Sequence, residues 1–388
     1  MSWLLPLGYC TNVHPCRGAA DIPQVLEQFV SPVRARCGFE IAAGLWLPAA
    51  ALAEVLEAEG GVIAVRESLD AHGLSCHTLN AFPYSDFHGE RVKEQVYLPD
   101  WADPRRFQYT LDSARLLEGL LPENGEGSIS TLPLGGRLLK QPDGFLDACF
   151  RQLMALAVRL NQLYEKTGKR VRLAIEPEPF CLLETTPETI AFFERLRHAA
   201  ELNGCAEAVR EHLGVCYDVC HQAVEFEDAA DAVRRLRESD IRINKVQISC
   251  AIELNDPSNE EARAALARFA EPRYLHQTMA ATGGGEILRH PDLTKDFALH
   301  PTDEWVRAKV WRTHFHVPVD AENLGVLGTT RAELRKALAA VAALDYQPHL
   351  EVETYTWPVL PGSNAKAIVD GLARELIATR GMLATGRD

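Results

Sequence analysis

The chain has no C-x-x-C pair among its 10 cysteines, no basic N-terminal segment leading into an apolar run, and no linker or composition break. It also lacks any apolar stretch of the roughly 18 residues that a membrane-crossing helix needs. Each absence removes a class. Scattered cysteines, several of them (Cys205, Cys216, Cys220, Cys250) in apolar surroundings, read as buried free thiols in a reducing compartment rather than as a thiolate metal cluster or a disulfide framework. Without a signal segment or a membrane span, a cytoplasmic, soluble protein is expected. Basic residues are short as well: 40 Lys and Arg face 54 Asp and Glu, and the formal charge of −14 opposes approach to phosphate backbones and anionic lipid. A local basic groove could survive such a total, but no nucleic-acid partner is expected. A glycine-rich phosphate turn after an early strand is missing too, since Gly8 alone does not supply one, and this counts against a doubly wound dinucleotide fold.

What is present is alternation. With 388 residues, 47% of them hydrophobic, the chain can bury a large core as two domains or as one barrel. A short apolar run, Leu4 to Cys10, is followed by Ile22, Val25, Leu26, Phe29, Val30 and Val33 at helical spacing between Asp21 and Arg36. The same order recurs along the chain. Strands are predicted over 38–46, 74–83, 128–134, 173–179, 213–219, 243–249 and 349–357, and helices over 48–59, 61–72, 103–121, 143–167, 187–201, 226–238, 258–269, 330–344 and 364–380. One further extended run, Thr313 to Val319, exceeds the eightfold count, and a polar, aromatic loop from Tyr84 to Trp101 has no element of its own. The pattern predicts an α/β fold of one domain, residues 1–388: a TIM (β/α)8 barrel with long loop insertions at the C-terminal face of its strands.

In such a barrel the polar residues at or just past strand ends share one cup. They are His14, His77 with Asn80, Glu176 with Glu178, Asp218 with His221, Gln247, His314 with His316, and Glu351 with Glu353. Carboxylates and imidazoles drawn from different strands suit a hard or borderline divalent cation, and such a cation offsets the repulsion among carboxylates at close range. Singly, each residue has a plainer reading. Glu178 and Glu351 can serve buried salt bridges, His14 before its proline can cap or pack, and Asp218-x-x-His221 arises by chance in any four-residue window. The set carries the argument.

The order of Glu176 on the fifth strand, Asp218-x-x-His221 after the sixth, a polar residue on the seventh and Glu353 on the last resembles the xylose isomerase-like TIM-barrel superfamily, which includes sugar isomerases, sugar epimerases and endonuclease IV. The stretches His77-Thr-Leu-Asn-Ala-Phe-Pro-Tyr-Ser-Asp-Phe-His-Gly89, Val96-Tyr-Leu-Pro-Asp-Trp101 and Leu350-Glu-Val-Glu-Thr-Tyr-Thr-Trp357 are similar to the bacterial metabolite traffic family EboE, encoded beside genes for moving or making a small secondary metabolite. The resemblance implies one divalent metal held by Glu176, Asp218, Gln247 and Glu353. Gln247 stands where the sugar epimerases carry a histidine, so Mn or Mg is favoured, with Zn or Co admitted. It also implies that His77, Asn80, His221, His276 and His316 bind substrate or a second metal. His276 or His316 would replace the missing nitrogen, and His316 is similar in placement to a second-metal histidine of endonuclease IV, where the aspartate two residues earlier is here His314.

The expected activity is a metal-dependent isomerase or epimerase acting on a small sugar or cyclitol-like polyol, with Glu176 and Glu353 taking and returning a proton and the loop from Phe82 to Trp101 closing over them. Two alternatives stay open: a barrel that binds or carries a metabolite without turning it over, and an endonuclease IV-like phosphodiester hydrolase, which the charge disfavours. The oligomeric state is left open.

Overall fold

The structure is a computed structural model that describes residues 5–360 and 364–385. Its strands, in chain order, are β1 (Leu7–Cys10), β2 (Ile41–Trp46), β3 (Thr78–Asn80), β4 (Glu126–Thr131), β5 (Arg170–Ile175), β6 (Leu213–Asp218), β7 (Ile243–Ile248), β8 (Cys250–Leu254), β9 (Thr278–Ala281), β10 (Ile287–His290), β11 (Val310–Val317), β12 (Asn323–Leu324), β13 (Leu327–Thr329) and β14 (His349–Val352). Strands β1 to β7 and β14 close into a barrel in the order β1-β14-β7-β6-β5-β4-β3-β2, every neighbouring pair parallel. The eightfold alternation read from the sequence is this ring. The third and the last strands are much shorter than the predicted runs 74–83 and 349–357, with Ser75 making an isolated bridge to Ala42 ahead of the third.

Some of the outer helices start at side-chain caps. Asp103 accepts from Arg105 N ahead of Pro104–Leu120, and Thr185 with Glu188 forms a reciprocal capping box at Thr186–Leu202. The first helix is helical from Asp21 to Cys37, but its middle turn, Leu26–Val30, widens to a π turn. Pro32 has no N–H to give, and its ring would strike the carbonyl four residues back, so the wider turn accommodates it. All ten cysteines are free thiols, nine buried and Cys205 partly so. No helix among the described residues is long and apolar enough to cross a membrane.

Side chains two apart on a strand share a face. On β7 this places Lys245 and Gln247 inside, and on β14 it places His349 and Glu351 inside, with Glu353 next above. Lys245 Nζ lies 2.6 Å from Glu351 Oε2, both side chains fully buried. The ammonium also reaches Ser130 Oγ at 3.2 Å and Leu79 O at 3.4 Å. Gly44 leaves the room: a Cβ there would stand 1.4 Å from Glu351 Oε1.

The insertion expected as loops is a second sheet. Strand β7 passes through Ser249 directly into β8, and β8 to β13 form an antiparallel sheet in the order β10-β9-β11-β8-β13-β12. The extra extended run at Thr313 to Val319 is the second half of β11, one of its central strands. The predicted helix over 258–269 is Glu260–Leu266 with a 3-10 turn behind it.

The closing helix, Ala365–Thr385, ties this region down through Glu375. Its buried carboxyl accepts from Thr354 Oγ1 at 2.7 Å, Val319 N at 3.1 Å and Trp357 Nε1 at 2.6 Å. Burial pushes its pKa up to about 7, against those three donors.

Two outcomes follow from this packing. Lys245→Met strands a buried carboxylate and is expected to lose about 3–5 kcal/mol of unfolding free energy, while Lys245→Met with Glu351→Leu regains most of it. Urea unfolding of both proteins decides, and equal losses would show that the pair is not the source. For Glu375 the folded pKa exceeds the unfolded value of about 4.3, so its contribution is fully present below that pH and lost as pH rises through 7, by roughly 4 kcal/mol at most. Wild type is therefore expected to lose more stability between pH 5 and 8 than Glu375→Gln does, and parallel curves in urea would contradict it.

Candidate active site

Three carboxylates meet where β5, β6 and β14 end. Pro177 and Pro179 stop β5, and Glu176 sits just past its last residue, buried. Asp218 ends β6 and caps the short helix Val219–Val224, its Oδ1 accepting from Cys220 N at 2.7 Å and His221 N at 3.1 Å. That cap fixes His221 in the first turn. Glu353 follows β14 with its amide bonded to Ile248 O, and its Oε1 accepts from Asn12 Nδ2 and Asn80 Nδ2, both at 2.8 Å. One oxygen each of Glu176, Asp218 and Glu353 lie within 4.8 Å of one another.

Three negative charges so close, at an effective dielectric near 20, repel by at least about 3 kcal/mol per pair. The pKa values record it. Burial first, then Glu353 and Asp218, hold Glu176 well above the carboxylate range, and burial with Asp218 does the same for Glu353. Asp218 is raised less, because His316 and the two cap amides oppose its burial.

Beside the carboxylates stand three histidines. His221 Nε2 is 3.1 Å from His314 Nε2, which is 3.1 Å from His316 Nε2. Burial lowers the pKa of all three, to about 3 for His221 and about 4 for His316, where Asp218 opposes it. The inserted sheet supplies His314 and His316 from β11, together with Gln277, whose Nε2 donates to Tyr97 Oη, Glu178 Oε1 and Pro179 O.

A pocket opens above this floor. The loop from Tyr84 to Trp101, with a 3-10 turn at Lys93–Tyr97, forms one wall, and Phe87, Tyr274 and Tyr355 cluster with centroids 4.8 to 5.2 Å apart, Tyr355 meeting the other two rings edge to face. Lys93 alone among the lining residues is a lysine or arginine, and it is held by Asp292 at 2.7 Å and by the carbonyls of Tyr274 and Glu271.

Other residues singled out from the sequence lie elsewhere. His77 precedes β3 and packs its ring 4.9 Å from His349, which bonds Ser128, while His77 itself is absent from the pocket lining. His276 bonds His314 O and Glu271 Oε1 through its two nitrogens and stacks on Phe315, so neither nitrogen is free for the carboxylates. His14 stacks on Phe29 and meets Tyr9 Oη at 2.9 Å. Gln247 lies in register with Asp218 and Glu351, its Oε1 accepting from Cys216 Sγ at 3.3 Å and its Nε2 without a partner among the described residues. Spacing did not single out Asn12 or Gln277. Asn12 follows the end of β1, so the strand-end rule that found Asn80 reaches it too, whereas Gln277 belongs to the inserted sheet and gave no such signal.

No protein-family model and no curated protein matches the chain. Among solved structures, one of L-ribulose 3-epimerase matches with a TM-score of 0.52 at 14% identity, over 99% of this chain and 96% of that one. A xylose isomerase-like TIM barrel protein from Mycobacterium smegmatis in complex with magnesium matches with a TM-score of 0.52 at 12% identity, over 98% of each chain. The fold is that of the xylose isomerase-like TIM barrels.

Whether a metal suits this chain is answered by its own atoms. Glu176 Oε2 and Asp218 Oδ2 are buried without a hydrogen-bond partner among the described residues, and the ammonium of Lys245 is already paired with Glu351. Buried, unpartnered carboxylate oxygens aimed into one space fit a divalent cation. Adding Mn2+ or Mg2+ to chelator-stripped protein at a hundredfold excess over Kd is expected to stabilise it by about 2.7 kcal/mol, read as a rise in Tm, and Asp218→Asn to remove most of that rise. An unchanged Tm in wild type would count against the site.

Proposed function

We propose that this protein is a divalent-metal-dependent isomerase or epimerase acting on a sugar or cyclitol-like small metabolite. The observation that carries the reading is the pair Glu176 and Glu353, two carboxylates with raised pKa reached from one pocket. Glu176, Asp218 and Glu353 would hold the metal, joined by Gln247 if its amide turns over to present oxygen. Bound there, a divalent cation supplies Lewis acidity to adjacent substrate oxygens and offsets the local negative charge.

The protein's own groups do the rest. Asn12 and Asn80 both occupy Glu353 Oε1, which fixes the carboxylate plane and leaves Oε2 to meet a proton. Glu176 Oε2 is likewise unengaged. Raised pKa values suit groups that must take a proton from a carbon next to a carbonyl and return one. Phe82, Phe87, Tyr97, Tyr274 and Tyr355 exclude water from that exchange. With Lys93 tied to Asp292, the pocket offers no free ammonium or guanidinium for a phosphate, which favours a neutral hydroxylated substrate. The match in fold to L-ribulose 3-epimerase supports this reading. The finer assignment, a place beside the moving or making of a secondary metabolite, rests on the sequence likeness of 77–89, 96–101 and 350–357 to the metabolite traffic family.

One observation favours a second reading, a carrier without turnover: Gln247 Oε1 is engaged by the Cys216 thiol rather than free to ligate. Incubation of Mn2+-loaded protein with ketoses and oxidised cyclitols in deuterated water separates the two. Wash-in of deuterium at the carbon beside the carbonyl is expected for wild type, with a fall of about 10²–10⁴-fold in rate for Glu353→Gln at unchanged folding. Binding without wash-in leaves the carrier, and equal rates in both proteins remove Glu353 from the chemistry.

A further inference from the structure

We propose that Glu178 is the specificity-determining residue of the pocket, hydrogen-bonded through Oε2 to one hydroxyl of the substrate, so that a polyol is taken in preference to its deoxy analogue at that position. This role deepens the isomerase reading and rests on it for what enters the pocket. It stands on what holds the Glu178 carboxyl and on what does not.

Buried carboxyl groups are costly unless something pairs with them. By sequence Glu178 and Glu351 suit the same role, a buried salt bridge, and in the structure only Glu351 has one with a lysine. Glu178 is buried and lines the pocket, yet no lysine or arginine pairs with it among the described residues. The nearest imidazole nitrogen, His314 Nδ1, stands 3.8 Å from its Oε1 and is closer to Gln277 Oε1, at 2.7 Å. Nor does Glu178 belong, among the described residues, to any group whose ligand atoms close on one ion. Neither a structural ion pair nor a metal accounts for it.

The chain nevertheless holds it firmly. Pro177 and Pro179 restrict the backbone on either side. Glu178 N donates to Leu183 O at 3.1 Å, and Glu178 O accepts from Cys181 N at 3.1 Å. Tyr97 Oη donates to Oε1 at 2.8 Å and Gln277 Nε2 donates to the same oxygen at 3.2 Å. Tyr97 comes from the loop after β3 and Gln277 from the inserted region, so three parts of the structure converge on one oxygen. Oε2 receives none of these bonds. The 8% of the side chain that stays exposed faces the pocket, and Oε2, unlike Glu176 Oε2, is not sealed off from it. An oxygen oriented this way binds a ligand group without first being ordered. A hydroxyl can both donate and accept, so it suits Oε2 whether or not that oxygen carries a proton. Without the hydroxyl, Oε2 would be enclosed and unpaired, and sites built in this way reject the analogue that lacks the group.

The test is calorimetric binding to Mn2+-loaded full-length protein, with D-fructose, D-xylulose and myo-inositol as probes, each beside its monodeoxy counterparts. In wild type, removal of one particular hydroxyl is expected to cost about 10–100-fold in affinity. In Glu178→Leu that cost should vanish, so that parent and deoxy probe bind alike, while Glu178→Gln, which can still donate and accept, keeps part of it. Tyr97→Phe removes one of the two donors on Oε1 and should narrow the discrimination severalfold, and it decides the matter with Glu178→Gln if the leucine variant does not fold. A merely structural Glu178 would weaken parent and deoxy probes equally, and an undiminished deoxy cost in Glu178→Leu or an equal loss for both probes overturns the proposal. Failure of every probe to bind overturns it together with the isomerase reading. Deuterium wash-in that persists without any deoxy discrimination leaves the isomerase standing and removes Glu178 alone.

Discussion

Uncompensated negative charge at the mouth of the barrel is the constraint on which the rest of this structure depends. The strand period of two stacks the interior in layers, and β14 places Glu351 in one layer and Glu353 in the next. Below, Lys245 neutralises Glu351, so that layer is closed and structural. Above, Glu176, Asp218 and Glu353 meet with amides and backbone N–H groups but no paired lysine or arginine among the described residues. Burial then raises the affinity of that layer for anything positive, be it a proton or a metal ion.

The inserted sheet works within that constraint. It covers the mouth and delivers His314, His316 and Gln277 to the acidic layer. Gln277 connects three parts at once: His314 through its oxygen, and the wall tyrosine Tyr97 and Glu178 through its nitrogen. Seating that wall and orienting the histidine are therefore properties of one amide. The aromatic wall made by Phe87, Tyr274 and Tyr355 draws on the loop after β3, the inserted region and the segment after β14, so its closure reports on the seating of all three.

The barrel was legible in the sequence because a parallel strand buried on both faces reads as a plain apolar run, and such runs alternate with stretches of 3.6-residue period. The acidic layer was legible for a related reason: Glu176, Asp218 and Glu353 stand at or just past strand ends, which a barrel brings to one rim. The second sheet was not. Strands β9 and β10 are four residues each around a Gly283-Gly-Gly285 break, and β8 follows β7 after one residue, so the join looks like a single long strand. His77 fell to the same rule that found Asn80. Both lie on one short strand run, but His77 comes before β3 begins and so belongs to the opposite rim, a boundary of one residue that an apolar pattern does not resolve.

The passage of β7 through Ser249 into β8 has a further consequence. In a barrel whose covering segments are loops, the cover can be exchanged while the staves stay intact. Here one stave is also a rib of the roof, so exchanging the roof would cut the wall. New specificity in this scaffold must arise residue by residue on the faces of existing strands, and modular swapping is closed to evolution and engineer alike.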